Sequence, residues 1–112
     1  MTSFRLDGRV ALVTGAGQGL GASISKAYAK AGASVILLGR TESHLQETAD
    51  SIRQDGGDAS VIVCDVTDDQ KLRSAIGGLT RLDILVNNAG TNFPAPFLEV
   101  SDHHLDRMLD LN

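Results

Sequence analysis

The stretch Val10-Ala11-Leu12-Val13-Thr14-Gly15-Ala16-Gly17-Gln18-Gly19-Leu20-Gly21 decides the fold of this sequence. Four consecutive apolar residues predict a strand buried on both faces, and a helical pattern starts directly after the glycines. Glycine has no Cβ, so the backbone of such a loop can approach a ligand closely. The start of the helix presents unpaired N–H groups that favour a phosphate. The stretch therefore predicts a dinucleotide site, with a plain tight turn as the alternative.

Outward from this stretch, strand-like and helix-like patterns alternate along the chain. Buried strands are predicted at residues 35–38, 60–64 and 82–86, with helices between them. The first helix is expected to stop at Gly32 and the second at Gly56-Gly57, and Thr67-Asp68-Asp69-Gln70 predicts a capping box for the third. The inward-facing residues are expected to be Leu20, Ile24, Ala27, Tyr28 and Ala31 in the first helix, Leu45, Ala49 and Ile52 in the second, and Leu72, Ile76 and Leu79 in the third.

Alternating strands and helices predict an α/β fold with a parallel sheet. Right-handed crossovers leave few topologies, and we expect a Rossmann-type doubly wound sheet with strand order 3-2-1-4. In that order the glycine loop lies at the switch point where nucleotides bind. We expect residues 1–112 to be one incomplete domain, whose last predicted elements are the fourth strand and a final helix that Ser101 caps.

Composition excludes several classes of function. The chain has 112 residues and a net charge of −4, and its basic residues are scattered, which argues against a nucleic-acid surface. A single cysteine, Cys64, excludes an intramolecular disulfide and fits a reducing compartment, where it is expected to be a small buried hydrophobe. No segment approaches the length of a membrane span, so we expect a cytoplasmic protein. His44, His103 and His104 show no metal-ligand spacing and are expected to face solvent.

Four motifs occur in an order that resembles the short-chain dehydrogenase/reductase family. Thr14-Gly15-x-x-x-Gly19-x-Gly21 resembles the TGxxxGxG fingerprint of that family, and Asn87-Asn88-Ala89-Gly90 resembles its NNAG motif. Asp65-Val66 resembles its adenine-contacting acidic position, and Asn112 falls where its catalytic asparagine lies. The resemblance covers the whole chain and implies an oxidoreductase that transfers hydride between a nicotinamide cofactor and a carbonyl or secondary alcohol.

The resemblance also implies roles for individual residues. The glycines would line the phosphates, and Thr14 would tie their loop to the fourth strand. The Asp65 carboxylate would accept a hydrogen bond from the adenine amino group, with a helix-capping role as the alternative. The implied cofactor-binding residues are Thr14, Gly15, Gln18, Gly19, Leu20, Gly21, Asp65, Val66, Asn87, Asn88, Ala89 and Gly90.

The end of the second strand bears on the choice of cofactor. Folds of this type that prefer NAD place a carboxylate there to accept from the ribose 2′-OH. This sequence has Gly39 followed by Arg40, whose guanidinium suits a 2′-phosphate. NADP(H) is therefore favoured and NAD(H) remains possible, although Gln18 leaves the glycine loop without a second basic residue. The alternative for Arg40 is a solvated residue at a strand end.

Asn112 would belong, by the resemblance, to an Asn-Ser-Tyr-Lys tetrad in which tyrosine is the general acid/base. No serine or Tyr-x-x-x-Lys follows it in this sequence, and the sole tyrosine, Tyr28, is expected in the core. Because these residues are missing, we expect the chain by itself to be inactive. We also expect it to be poorly stable as a monomer, because its apolar fourth strand would form a sheet edge. We expect the complete protein to act on a small carbonyl or alcohol substrate as a homo-oligomer. The alternatives are a nucleotide-binding module without catalysis and a fragment that does not function alone.

Overall fold

Four strands and three helices alternate along residues 5–88, the part of the chain that the computed structural model describes. The predicted alternation of strands and helices is confirmed over these residues. In chain order the elements are β1 (Val10–Thr14), α1 (Gly19–Lys30), β2 (Ser34–Gly39), α2 (Glu42–Gln54), β3 (Asp58–Val63), α3 (Asp69–Gly77) and β4 (Ile84–Asn87). The predicted final helix, Ala89, Gly90 and Asn112 lie outside the described residues.

The strands form one parallel sheet in the order β3-β2-β1-β4, which confirms the predicted topology. Leu12 of β1 lies opposite Ile36 of β2 on one side and Leu85 of β4 on the other. The chain winds in opposite directions from β1, so the carboxyl end of β1 is the switch point of the described sheet. The glycine loop begins at this end.

Helices cover both faces of the central strands β1 and β2, whose successive side chains point to opposite sides, whereas β3 is partly exposed and its Val63 is 50% exposed. Leu12 belongs to one apolar cluster, which α3 covers through Leu72 and Ile76. Val13 belongs to a second cluster, which α1 and α2 cover. As predicted, the α2 side of that cluster consists of Leu45, Ala49 and Ile52.

The predicted inner face of α1 is confirmed for Ile24 and Tyr28, which pack against the second cluster, and is wrong for Leu20 and Ala27. Its buried residues are Gly21, Ser25 and Ala29, whereas Leu20 is 68% exposed and Ala27 is also exposed. At the start of the helix the reason is its close approach to the glycine loop, because a Cβ at Gly21 would collide with the Gly15 carbonyl oxygen. The larger residues are displaced to the flanks, where Ile24 and Tyr28 are half-buried against the second cluster and Ala31 is half-buried.

The observed helix ends agree in part with those predicted from the sequence. α1 and α2 stop shortly before Gly32 and Gly56, as predicted. The predicted capping box of α3 is wrong: the N-cap is Asp68, whose carboxylate accepts from the backbone amide of Lys71 at 3.2 Å. Thr67 instead donates to Asp65.

Asp83 holds the start of β4 against the start of β1, and its side chain is 2% exposed. Its carboxylate accepts from the amide of Val10 at 2.8 Å and from Nε of Arg81 at 2.8 Å. The amide of Asp83 in turn donates to the Val10 carbonyl at 2.9 Å. Burial by itself raises the pKa of Asp83, but the hydrogen bonds from Val10 and Arg81 and the charges of Arg81 and Arg9 outweigh it, so the pKa lies below its ordinary value.

Asp83→Asn is therefore expected to lower the free energy of unfolding by about 1–2 kcal/mol near pH 7, because a charge-assisted hydrogen bond is lost. A depressed native pKa stabilises the fold above the unfolded-state value of about 3.9, and this contribution is lost as the pH falls through the native pKa. Urea titrations between pH 7 and pH 3 should show the difference between the two proteins shrinking below about pH 4. The control is Asp7→Asn, since Asp7 forms an exposed pair with Arg5 that salt screens. A difference that grows on acidification would contradict this prediction.

Candidate nucleotide-binding site

The glycine loop joins β1 to α1 and leaves room for an anion at the start of the helix. Gly15 and Gly19 have φ values of +61° and +58°, a conformation that glycine adopts without strain. A Cβ built on Gly19 meets nothing within 4 Å. The N-cap residue Gln18 makes no capping hydrogen bond with its side chain. The first-turn amides of α1 are therefore not satisfied by a side-chain cap, as a phosphate-binding helix start requires.

Gly21 allows α1 to pack closely against the glycine loop. A Cβ built there would collide with the carbonyl oxygen of Gly15 and lie 2.7 Å from Nδ2 of Asn88. One turn later, the Ser25 hydroxyl donates to the Gly21 carbonyl at 2.7 Å. The absence of a side chain at Gly21 lets α1 begin directly against the loop, which fixes the direction of its first turn.

The loop is also held from β4. The buried hydroxyl of Thr14 lies 3.3 Å from the Val86 carbonyl and 3.2 Å from Oδ1 of Asn87. Nδ2 of Asn88 donates to the Gly15 carbonyl at 3.3 Å. These contacts place Thr14, Asn87 and Asn88 where the loop meets the fourth strand, and the link expected for Thr14 is present.

A pocket of about 180 Å³ opens between the glycine loop, the end of β2 and the start of α2. It is smaller than the ~300–1,000 Å³ of a typical complete ligand site, so it suits one group of a larger ligand. No carboxylate lies among its lining residues, and Arg40 is exposed at its edge. The lining residues are Gly15, Gly17, Gln18, Gly39, Arg40, Thr41, His44 and Leu45.

Asp65 and Val66 follow β3 at the same edge of the sheet. Oδ1 of Asp65 accepts from the Thr67 amide at 2.9 Å and from the Thr67 hydroxyl at 2.7 Å. The hydroxyl hydrogen bond is the largest cause of a lowered pKa for Asp65, and the amide and the charge of Arg40 act in the same direction. The alternative of a helix cap is not what the structure shows, because Asp68 caps α3. Val66 is half-buried against the first apolar cluster.

Sequence reasoning missed His44 as a residue of this site. The side chain was expected to face solvent, but the residue is half-buried and lines the pocket. A Cβ on Gly17 would come within 2.8 Å of the His44 Cβ, so the glycine loop and the first turn of α2 are in close contact. The only sequence signal was the distance of four residues from Arg40, which has no meaning until the loop conformation is known.

Cys64 is buried, as predicted, and burial is the main cause of its raised pKa, with the charges of Asp68 and Asp65 adding to it. Burial and a raised pKa both disfavour the reactive thiolate form of this side chain. Within residues 5–88, no group of three or more histidine, cysteine or carboxylate residues is arranged to hold a metal ion. No helix of this described part is both long and apolar enough to cross a membrane. His103 and His104 lie outside it.

The sequence profile described as short chain dehydrogenase matches residues 9–112. The chain belongs to the short-chain dehydrogenase/reductase family. This family membership agrees with the order of its four motifs and with the observed strand order β3-β2-β1-β4. The chain spans about two-fifths of the length of the curated relatives it matches.

Relatives in this family differ in substrate and cofactor. A fatty acyl-CoA reductase of Acinetobacter baylyi is 40% identical over 96% of this chain and 38% of its own length. A Beutenbergia cavernae structure with NADP at low occupancy, assigned as an NAD(P)-dependent gluconate 5-dehydrogenase, is 42% identical with a TM-score of 0.71, covering 95% of this chain and 43% of its own. A 7α-hydroxysteroid dehydrogenase in complex with NADH is 37% identical with a TM-score of 0.70, covering 86% and 42%.

Proposed function

We propose that this chain is the cofactor-binding part of an oxidoreductase that transfers hydride between NADP(H) and a carbonyl or secondary alcohol. The observation that carries the proposal is the glycine loop, with open space at Gly19 beside helix amides that lack a side-chain cap. Family membership supports the reaction class. The bound nicotinamide would supply the hydride chemistry, and the residues of this chain would bind and orient the cofactor.

Residues of this chain would contact the pyrophosphate and the adenine of such a cofactor. The amides after Gln18 would hold the pyrophosphate. Gly15 and Gly19 would let the cofactor come close to the backbone, and Gly21 lets α1 pack against the loop. Leu20 is exposed beside the loop and offers an apolar contact. Asp65 keeps its Oδ2 without a recorded partner among residues 5–88 and would accept from the adenine amino group, with Val66 against the ring. Asn87 and Asn88, followed by Ala89 and Gly90, would form the floor of the site.

The preference for NADP(H) rests on the pocket beside Arg40. A carboxylate there would repel a 2′-phosphate, and none lines the pocket. A guanidinium can bind phosphate through two parallel hydrogen bonds. Relatives do not decide the choice, since one structure contains NADP and another NADH. NAD(H) is the alternative cofactor.

Arg40→Ala is expected to remove most of an NADPH preference of about tenfold or more, because a charge-assisted hydrogen bond contributes about 1.5–3 kcal/mol. Fluorescence titration of the full-length protein with NADPH and NADH measures both dissociation constants. Arg53→Ala is the matched control, because Arg53 lies at the far end of α2, where it donates to the Ala59 carbonyl. Equal affinity of the unmutated protein for the two cofactors would contradict the proposed preference.

The proton chemistry would come from residues beyond this site. We propose that Asn112 contributes through its main-chain carbonyl, which would hold a water for a tyrosine general acid, as in the family. The substrate would be a small carbonyl or alcohol, and the complete protein a cytoplasmic homo-oligomer that binds neither nucleic acid nor membranes. Oxidation of NADPH by the full-length protein with a panel of aldehydes and ketones tests the activity. Binding without turnover of any substrate would favour the alternative of a non-catalytic nucleotide-binding module.

A further inference from the structure

His44 lies on the first turn of α2 and lines the pocket that holds Arg40 at its edge. The residue is half-buried, and no hydrogen bond to its imidazole is recorded among the described residues. Its backbone carbonyl accepts from the Thr48 hydroxyl at 3.2 Å, which fixes the residue within the helix. The pocket therefore has an imidazole in addition to the guanidinium of Arg40 and the side-chain amide of Gln18.

The charges around His44 favour an anionic ligand group. The glycine loop contributes the uncharged Gly17 and Gln18, and the end of β2 contributes the cation of Arg40. On α2 itself the nearest carboxylates in sequence are Glu42 and Glu47, both exposed and neither among the lining residues. Asp65 lies near enough to Arg40 for the two charges to interact, but it does not line the pocket. An anion in the pocket would thus meet a guanidinium and an imidazole, with no carboxylate in the lining.

We propose that His44 is a specificity-determining residue, whose imidazole N–H donates a hydrogen bond to the 2′-phosphate of NADP(H) opposite Arg40. The proposal rests on the proposed function and adds to it a second phosphate ligand. The glycine loop has no basic residue to bind this phosphate, and His44 of α2 would do so from the other side of the pocket.

Gly17 is the reason that His44 reaches this position. With no side chain at Gly17, the loop packs directly on the His44 Cβ, and a Cβ there would be only 2.8 Å away. A larger residue at position 17 would push the first turn of α2 away from the loop. The close approach of the His44 Cβ to the glycine loop therefore depends on a glycine outside the TGxxxGxG positions.

The test compares 2′,5′-ADP with 5′-AMP, which differ only in the 2′-phosphate, by calorimetry on the full-length protein. His44→Ala is expected to weaken 2′,5′-ADP about tenfold and 5′-AMP less than about twofold, as expected for one lost hydrogen bond to a charged group. His44→Lys should retain the preference for 2′,5′-ADP, since an ammonium also binds phosphate. Gln46→Ala is the control, because Gln46 is an exposed residue of α2 that does not line the pocket.

The two nucleotides separate the failure of this proposal from the failure of the proposed function. The role of His44 would be overturned if His44→Ala weakened both nucleotides equally or weakened neither. It would also be overturned if His44→Lys lost the preference for 2′,5′-ADP. In each case the proposed nucleotide binding would stand. An unmutated protein that binds neither nucleotide nor NADPH would overturn both proposals.

Discussion

Gly19→Val is expected to weaken dinucleotide binding by about a hundredfold or more, because at least two charge-assisted hydrogen bonds to the pyrophosphate would be lost. A Cβ at Gly19 contacts no protein atom within 4 Å, so the new side chain would occupy the space into which a phosphate would enter. The residue also has a φ of +58°, which costs a side-chain-bearing residue about 1–2 kcal/mol. The measurement is calorimetric titration of the full-length protein with NADPH.

The matched control is Gly56→Val. Gly56 follows α2 with a φ of +86°, and a Cβ there also meets nothing within 4 Å. Both variants should therefore lose similar stability through backbone strain, but only the change at Gly19 should affect binding. Unchanged NADPH affinity in Gly19→Val would show that the phosphates do not pass this residue.

Gly21→Ala is expected to lower the free energy of unfolding by about 3 kcal/mol, at the upper end of the usual cost of overpacking. The added methyl group would meet the Gly15 carbonyl oxygen, which is backbone, and Nδ2 of Asn88 at 2.7 Å. Neither can move without displacing the loop or the end of β4, which the Asn88 hydrogen bond connects. Urea or thermal unfolding measures the loss, and cofactor affinity should fall with it.

Gly78→Ala provides the same chemical change in an open setting. Gly78 has a φ of −81°, and the nearest atom to its added Cβ is 3.6 Å away, an ordinary contact. Alanine restricts the unfolded chain there, so stability should stay unchanged or rise by up to about 1 kcal/mol. If the two variants lost equal stability, the close packing at Gly21 would not be the cause.

The sequence by itself determined the order of elements and the topology of the sheet. Apolar runs of four or five residues between helical patterns predict a parallel sheet with covered faces, and right-handed crossovers leave few topologies for it. The Thr14–Gly21 motif fixed the position of the loop, since glycine is the residue that the positive φ of Gly15 and Gly19 favours. The buried residues Leu45, Ala49 and Ile52 were also predictable, because α2 has a single apolar stripe.

Only the tertiary structure decided which residues meet across elements. The buried residues of α1 are Gly21, Ser25 and Ala29, and contact of Gly21 with the Gly15 carbonyl leaves the apolar Leu20 exposed beside the loop. Asp83 is buried in an otherwise apolar segment because an amide and a guanidinium stabilise its charge there. His44 lines the pocket where the first turn of α2 contacts Gly17, a contact that periodicity does not encode.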